Sequence, residues 1–135
     1  MTTTPEAPAS PAAAMDALDK RLSQRFIALD PSGYFLIKLD REAAELVLEH
    51  YGNTIDDKGL ARDSETGEVL CCDGGNAPRR PSVVYRGNTA KQLGIQLTEG
   101  EDPHPVSRLD HALYLGRELQ KAEQCLRDGR VYVQD

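Results

Sequence analysis

A chain of 135 residues is about the size of one ordinary domain. With 16 basic against 22 acidic residues and a formal charge of −6, it offers no broad positive surface to a nucleic-acid backbone, which excludes nucleic acid as the main partner. No apolar run approaches the roughly 20 residues that cross a bilayer, and the N-terminus lacks the basic and hydrophobic stretches of a secretory signal, so a soluble cytoplasmic protein without a membrane partner is expected.

Residues 1–14 are rich in threonine, proline, serine and alanine and read as a disordered tail, because ordering them would cost entropy without burying apolar surface. A single domain is expected over residues 15–135, with a short helix beginning near Met15. Residues 25–29 and 34–39 are short β-favouring runs separated by Asp30-Pro31-Ser32-Gly33, which predicts a hairpin. Asp40 is then placed to cap a helix in which Ala44, Val47, Leu48 and Tyr51 recur at helical spacing, with Gly52 as its stop and His50 near its end.

A second hairpin is expected from residues 60–63 and 68–71, reversing near Thr66-Gly67, followed by a surface loop through residues 73–81. Residues 82–86 read as a strand, Gly87 as a turn, and Asn88 as the cap of a helix presenting Ala90, Leu93, Gly94 and Leu97 on one face. An acidic, proline-broken loop over 99–105 holds His104 between two prolines and leads to the longest helix, over residues 107–128. Ser107 and Asp110 have the spacing of a capping box there, and Leu109, Ala112, Leu113, Gly116, Leu119 and Leu126 form its apolar face. Residues 131–133 add a final strand. The whole is an α+β fold, a mixed or mostly antiparallel sheet of about five or six strands packed with two or three helices.

Two constellations carry chemistry. His111, Tyr114 and Glu118 lie at separations that return to one side of the last helix, so an imidazole, a phenol and a carboxylate can converge. His111 and Glu118 are the candidate acid-base pair, although all three residues serve equally well as structural hydrogen-bond partners. The second constellation is Arg86-Gly87-Asn88-Thr89, where backbone donors at a helix start and a guanidinium suit a carboxylate or phosphate; with one glycine it is not a dinucleotide fingerprint, and an ordinary capped turn explains it too. Gly116 fits either close helix packing or ligand approach. Cys71, Cys72 and Cys125 form no disulfide framework, and the adjacent Cys71-Cys72 pair lacks zinc-ligand spacing, so no metal is assigned and the cofactor stays unknown.

In Asp30-Pro31-Ser32-Gly33-Tyr34-Phe35-Leu36-Ile37-Lys38-Leu39-Asp40, and again from His111 through Glu123 and from Tyr132 to Asp135, the chain resembles a cyanobacterial family of unknown function. A similar domain follows a pterin-binding barrel like that of dihydropteroate synthase in some archaeal and bacterial proteins, and the resemblance spans residues 25–135. It implies a small cytoplasmic domain linked to pterin or one-carbon chemistry. His111, Tyr114, Arg117 and Glu118 match the motif, but no established catalytic role comes with them. The reading is a non-catalytic binding or accessory domain for a small anionic or pterin-like ligand, or for a protein partner. In it Arg86, Gly87, Asn88 and Thr89 hold the anion, while His111, Tyr114, Arg117 and Glu118 complete the ligand site. The alternatives are a small enzyme using His111 as acid or base in one-carbon or proton-transfer chemistry, and a structural homo-oligomer joined through the last helix.

Overall fold

The two strongest apolar runs, around Leu36-Ile37 and Leu46-Val47-Leu48, lie side by side at the centre of the sheet. The computed structural model describes residues 11–23, 28–30, 33–70 and 80–134. In chain order the elements are α1 (Pro11–Ser23), β1 (Ala28–Asp30), β2 (Gly33–Asp40), β3 (Glu45–Ile55), β4 (Ala61–Asp63), β5 (Val83–Gly87), α2 (Ala90–Glu99) and α3 (Leu109–Asp128). The fold is α+β, and every strand pair is antiparallel. The main sheet runs β1-β2-β3-β5, while β4 pairs only with the far end of β3. The hairpin of β1 and β2 forms as its alternation predicts, with Ala28 opposite Phe35.

The segment expected to be the first long helix is instead β3, and this is the main correction. Asp40 does cap, but it caps a tight turn: Ala43 N–H donates to its carboxylate at 3.0 Å, and Ala44 takes a positive φ of 54°. The chain therefore reverses within residues 41–44 and pairs with β2 from Asp40↔Glu45 to Gly33↔Gly52. Leu46, Leu48 and His50 face the core while Val47 and Tyr51 are buried on the other side, so a central strand covered on both faces mimics helical periodicity. Gly52 does not stop a helix; a Cβ there would meet Ser64 Oγ at 2.4 Å. Gly33, at φ 147°, lies so close to Tyr51 that a Cβ would sit 2.0 Å from its carbonyl oxygen.

Other boundaries shift for local reasons. Helix α1 begins at Pro11, so residues 11–14, read as tail, are helical; proline suits a first helical position because its missing N–H has no partner there. The second hairpin shrinks to β4 and one bridge between Arg62 and Val69, with Gly67 in the left-handed region near the expected reversal. Cys71, Cys72 and residues 73–79 lie outside the described residues. Gly87 ends β5 rather than turning, and Thr89 rather than Asn88 caps α2, accepting Gln92 N–H at 3.2 Å. The capping box of α3 does not form: Arg108 is its N-cap residue and makes no side-chain cap bond, and Asp110 is engaged by the guanidinium of Arg108 at 3.1–3.2 Å.

Helices α2 and α3 cover one face of the sheet. Leu93 and Leu97 of α2 and Leu115, Leu119, Ala122 and Cys125 of α3 pack with Phe35, Ile37, Leu39, Leu46, Leu48 and Tyr85. Residues 131–133 form no strand; among the described residues the sheet has five strands, four of them in the main ladder and β4 on the far end of β3. The C-terminal segment is an extended strap held by side chains. Ile37 N–H donates to Gln134 Oε1 at 2.9 Å and Gln134 Nε2 donates to the Phe35 carbonyl at 3.1 Å, so one carboxamide replaces a neighbouring strand beyond the end of β1. Tyr132 N–H donates to Asp19 Oδ1 at 3.0 Å, and Arg41 Nε donates to Asp19 Oδ2 at 2.7 Å, which ties α1 to the strap and to the β2–β3 turn.

Replacing Gln134 by leucine strands the buried Ile37 N–H and removes one of two donors from the Phe35 carbonyl, which also faces Ala28 of β1. We expect Gln134→Leu to lower unfolding stability by about 2–4 kcal/mol, read from the urea midpoint. A midpoint unchanged from the parent would mean that these two groups find another partner.

Candidate functional site

The residues expected to form a polar site on α3 divide by burial. Glu118 is 0 % exposed, His111 and Tyr114 are half-buried, and Arg117 is exposed. The Tyr132 hydroxyl donates to Glu118 Oε1 at 3.0 Å, Lys121 Nζ stands 3.7 Å from the same oxygen, and Arg117 Nε is 3.5 Å from Oε2. The Arg117 guanidinium also lies over the Tyr114 ring, 5.4 Å from its centroid. Tyr114, Arg117 and Glu118 are thus brought together, with Tyr132 and Lys121 added. His111 stands nearer the helix start, its Nε2 3.9 Å from Asp110. Burial pushes the Tyr132 hydroxyl well above the ordinary phenol range and the Glu118 charge pushes it further, so Tyr132 remains a donor. In this arrangement Glu118 anchors the strap and has no open path to a ligand.

The helix-start site is likewise satisfied from within. Ala90 N–H donates to Glu123 Oε1 at 2.7 Å, so a carboxylate from α3 stands where an anionic ligand was expected. Asn88 N–H donates to Gln92 Oε1 at 2.7 Å, and Asn88 Nδ2 reaches the Ala44 carbonyl. Gly87 is buried against Gln92 and Gln96. Arg86 points to the other side of the sheet from its buried neighbours Tyr85 and Gly87, where it pairs with Asp40 and, at 3.1 Å, with Glu45. These carboxylates raise the Arg86 pKa further, while Asp40 is held below the ordinary aspartate range by Ala43 N–H and, against partial burial, by Arg86. Arg86 lines a polar cavity of about 330 Å³ with residues of α1, β2 and β3 and none of α3. Arg86 and His111 therefore do not share a pocket.

A different concavity is apolar. Between α2 and α3 lies a groove of about 330 Å³ lined by Gly94, Leu97, Val106, Ala112, Gly116 and Leu119, among others. A Cβ at Gly94 or Gly116 would meet nothing within 4 Å, so neither glycine is there for close helix packing. Beside the groove, Leu109 is 74 % exposed and Leu113 66 % exposed, although both were expected to face the core. The core is instead met by Leu115, Glu118, Leu119, Ala122 and Cys125, about a quarter turn from the expected face at 3.6 residues per turn. The face read as a site turns inward, and much of the face read as packing turns out. Interior glycines in two neighbouring helices were the available signal for the groove.

Two histidines outside both constellations also meet. His50, expected to end a helix, is 3 % exposed in β3, and its ring lies 3.9 Å from that of His104 and 4.7 Å from that of Phe35, centroid to centroid. Among the described residues no helix is long and apolar enough to cross a membrane.

The chain is similar to several known proteins. The family model described as PterinBD-DUF4346 matches residues 29–135. A Ycf91-like protein of the cyanobacterium Nostoc is 48 % identical over 119 residues, covering 88 % of this chain and 93 % of that protein. An uncharacterised protein of Methanocaldococcus jannaschii is 31 % identical over 106 residues, 76 % of this chain but 14 % of its own length. The uncharacterised protein ycf91 of Pyropia yezoensis is 37 % identical over 54 residues, 40 % of this chain and 46 % of that protein. No solved structure matches significantly.

Two outcomes test the electrostatics of these sites. Tyr132→Phe withdraws the hydroxyl from a buried carboxylate and should cost about 1–3 kcal/mol at pH 7, with part recovered in Tyr132→Phe combined with Glu118→Gln, as measured by urea unfolding. The folded-state pKa of Asp40 lies below its unfolded value, so its contribution is complete above the ordinary aspartate range and is lost as pH falls through the lower folded value. Asp40→Asn should therefore flatten the acid limb of stability against pH, and an unchanged limb counts against this role.

Proposed function

The chain belongs to the PterinBD-DUF4346 family, and on that footing we propose that it is a non-catalytic accessory domain seated against a pterin-binding partner protein through the groove between α2 and α3. The observation that carries this reading is the groove itself, floored by open positions at Gly94 and Gly116 and flanked by the exposed Leu109 and Leu113. Apolar surface of this kind is what a domain presents to a neighbour. The family description joins pterin binding to this domain, and in the Methanocaldococcus jannaschii relative the matching region is a small part of a much longer chain. A domain in that position needs a face that meets its neighbour, and the groove is such a face. The partner is sought in the cytoplasm, in keeping with a free, buried Cys125.

The groove favours a protein side chain over the pterin ring. Its polar side chains are Lys91, Thr98 and Gln120, and the Thr98 hydroxyl is returned to the Gly94 carbonyl at 3.0 Å. A flat heteroaromatic ring with donors and acceptors along its edge would call for a carboxylate or an aromatic wall, and the lining has neither. The acid-base alternative draws no support from a Glu118 that is fully buried and engaged by Tyr132.

The test captures the tagged chain with its native partners after cross-linking and measures pterin fluorescence in the complex. We expect the captured protein to carry pterin, the purified chain alone to bind none, and both Gly116→Leu and Leu113→Asp to reduce capture at least tenfold without lowering the urea midpoint. Capture indifferent to both substitutions would refute the groove. A groove-dependent homodimer by light scattering would assign this face to a second copy instead, and pterin bound tightly by the purified chain would transfer the ligand role to the chain itself.

A further inference from the structure

Among the described residues nothing pairs with the outer edge of β5, and two glutamine side chains reveal its orientation. Gln134 binds Ile37 N–H and the Phe35 carbonyl, so these β2 residues direct their backbone groups away from β3. In an antiparallel ladder the β3 residues opposite them, Leu48 and His50, then direct theirs toward β5, where they meet Tyr85 and Val83. Val84 and Arg86 consequently point outward. Gln96 agrees with this, since its Nε2 donates to the Arg86 carbonyl at 2.7 Å from outside the ladder. Among the described residues β5 pairs only with β3. That leaves the N–H and carbonyl of Val84 and the N–H of Arg86 along the outer edge.

The space beside this edge is shaped and charged. A cavity of about 360 Å³ is lined by Val83, Val84, Tyr85 and Gln96 and closed on one side by Glu101 and Asp102. The Tyr85 hydroxyl donates to the Asp102 carbonyl at 2.6 Å, which holds this loop along the strand. Val84 is 44 % exposed and offers an apolar contact next to the backbone groups.

We propose that the outer edge of β5 accepts an extended segment of another protein as an additional strand, with a lysine or arginine of that segment directed to Glu101 and Asp102. Backbone pairing supplies the attraction and the two carboxylates supply the choice of sequence. The net charge of −6 draws in a basic segment. A second copy is a poor occupant, because edge-to-edge pairing of two copies would gather both acidic loops at one joint. The surface is separate from the α2–α3 groove, and the inference stands whether or not that groove binds a partner.

The experiment uses the full chain labelled with ¹⁵N and a capped heptapeptide of alternating threonine and valine with a central lysine, alongside its counterpart with a central glutamate. The lysine peptide should slow hydrogen exchange at the Val84 and Arg86 amides at least fivefold and bind at least tenfold more tightly than the glutamate peptide. Val84→Pro removes only an outward-facing N–H, a position at which an edge strand tolerates proline, and should abolish binding with the β3 ladder intact. Glu101→Lys combined with Asp102→Lys, which leaves β5 untouched, should reverse the charge preference. No slowing at millimolar peptide overturns the proposal. So does binding indifferent to peptide charge, or slowing that rises with protein concentration in the absence of peptide.

Discussion

The fold depends on a short C-terminal strap whose buried polar groups are met from three directions. Asp19 of α1 accepts the Tyr132 amide, Glu118 of α3 accepts the Tyr132 hydroxyl, and the Gln134 carboxamide completes the β2 backbone. A buried carboxylate is costly unless it is bonded, so Asp19 and Glu118 demand the strap as much as the strap demands them. Arg41 ties the same network to the β2–β3 turn through Asp19 and the Arg130 carbonyl. The sheet, the first helix and the last helix are joined by a segment that belongs to none of them.

This constraint accounts for the orientation of α3. With Glu118 turned inward to reach Tyr132, the buried stripe runs through Leu115, Leu119, Ala122 and Cys125. Leu109, Ala112, Leu113 and Gly116 lie roughly 120° around the axis at 3.6 residues per turn, which places them on or beside the groove rather than over the sheet. The outward apolar surface on which the functional reading rests is therefore a consequence of a polar anchor. A helix free to bury its most apolar face would have left no such surface.

Sequence reasoning reaches the elements whose signals are local. The first hairpin, β5, α2 and the extent of α3 follow from alternation, glycine placement and helical periodicity. It misplaces β3, because a strand buried on both faces between β2 and β5 spaces Val47, Leu48 and Tyr51 as an amphipathic helix does. Partners distant in sequence are the other source of error. Glu123 reaches Ala90 N–H across 33 residues and fills a seat that looked open, and Tyr132 claims Glu118, which looked like part of a ligand site. Among the candidate residues, Tyr114, Arg117 and Glu118 do gather, but around the strap. The groove was signalled only by Gly94 and Gly116, whose meaning depends on both helices at once.

The two sides of the sheet are finished differently, and the difference bears on how such a domain works with others. Beyond β1, the Gln134 carboxamide satisfies both the donor and the acceptor of β2, which closes that side with a side chain instead of a strand. At β5, Gln96 reaches only the Arg86 carbonyl and the groups of Val84 remain outside the ladder. Closure on the β1 side is bound up with the strap and hence with the stability of the whole domain. The β5 side carries no such burden, since its inner face is already secured by Tyr85 against α2 and its register by β3. An edge that the fold does not need to close is one that can change its partner without unfolding the domain, and the groove between α2 and α3 has the same property. Neither proposed surface has a strap residue in its lining, so occupation of either by another molecule would not compete with the donors of the buried carboxylates.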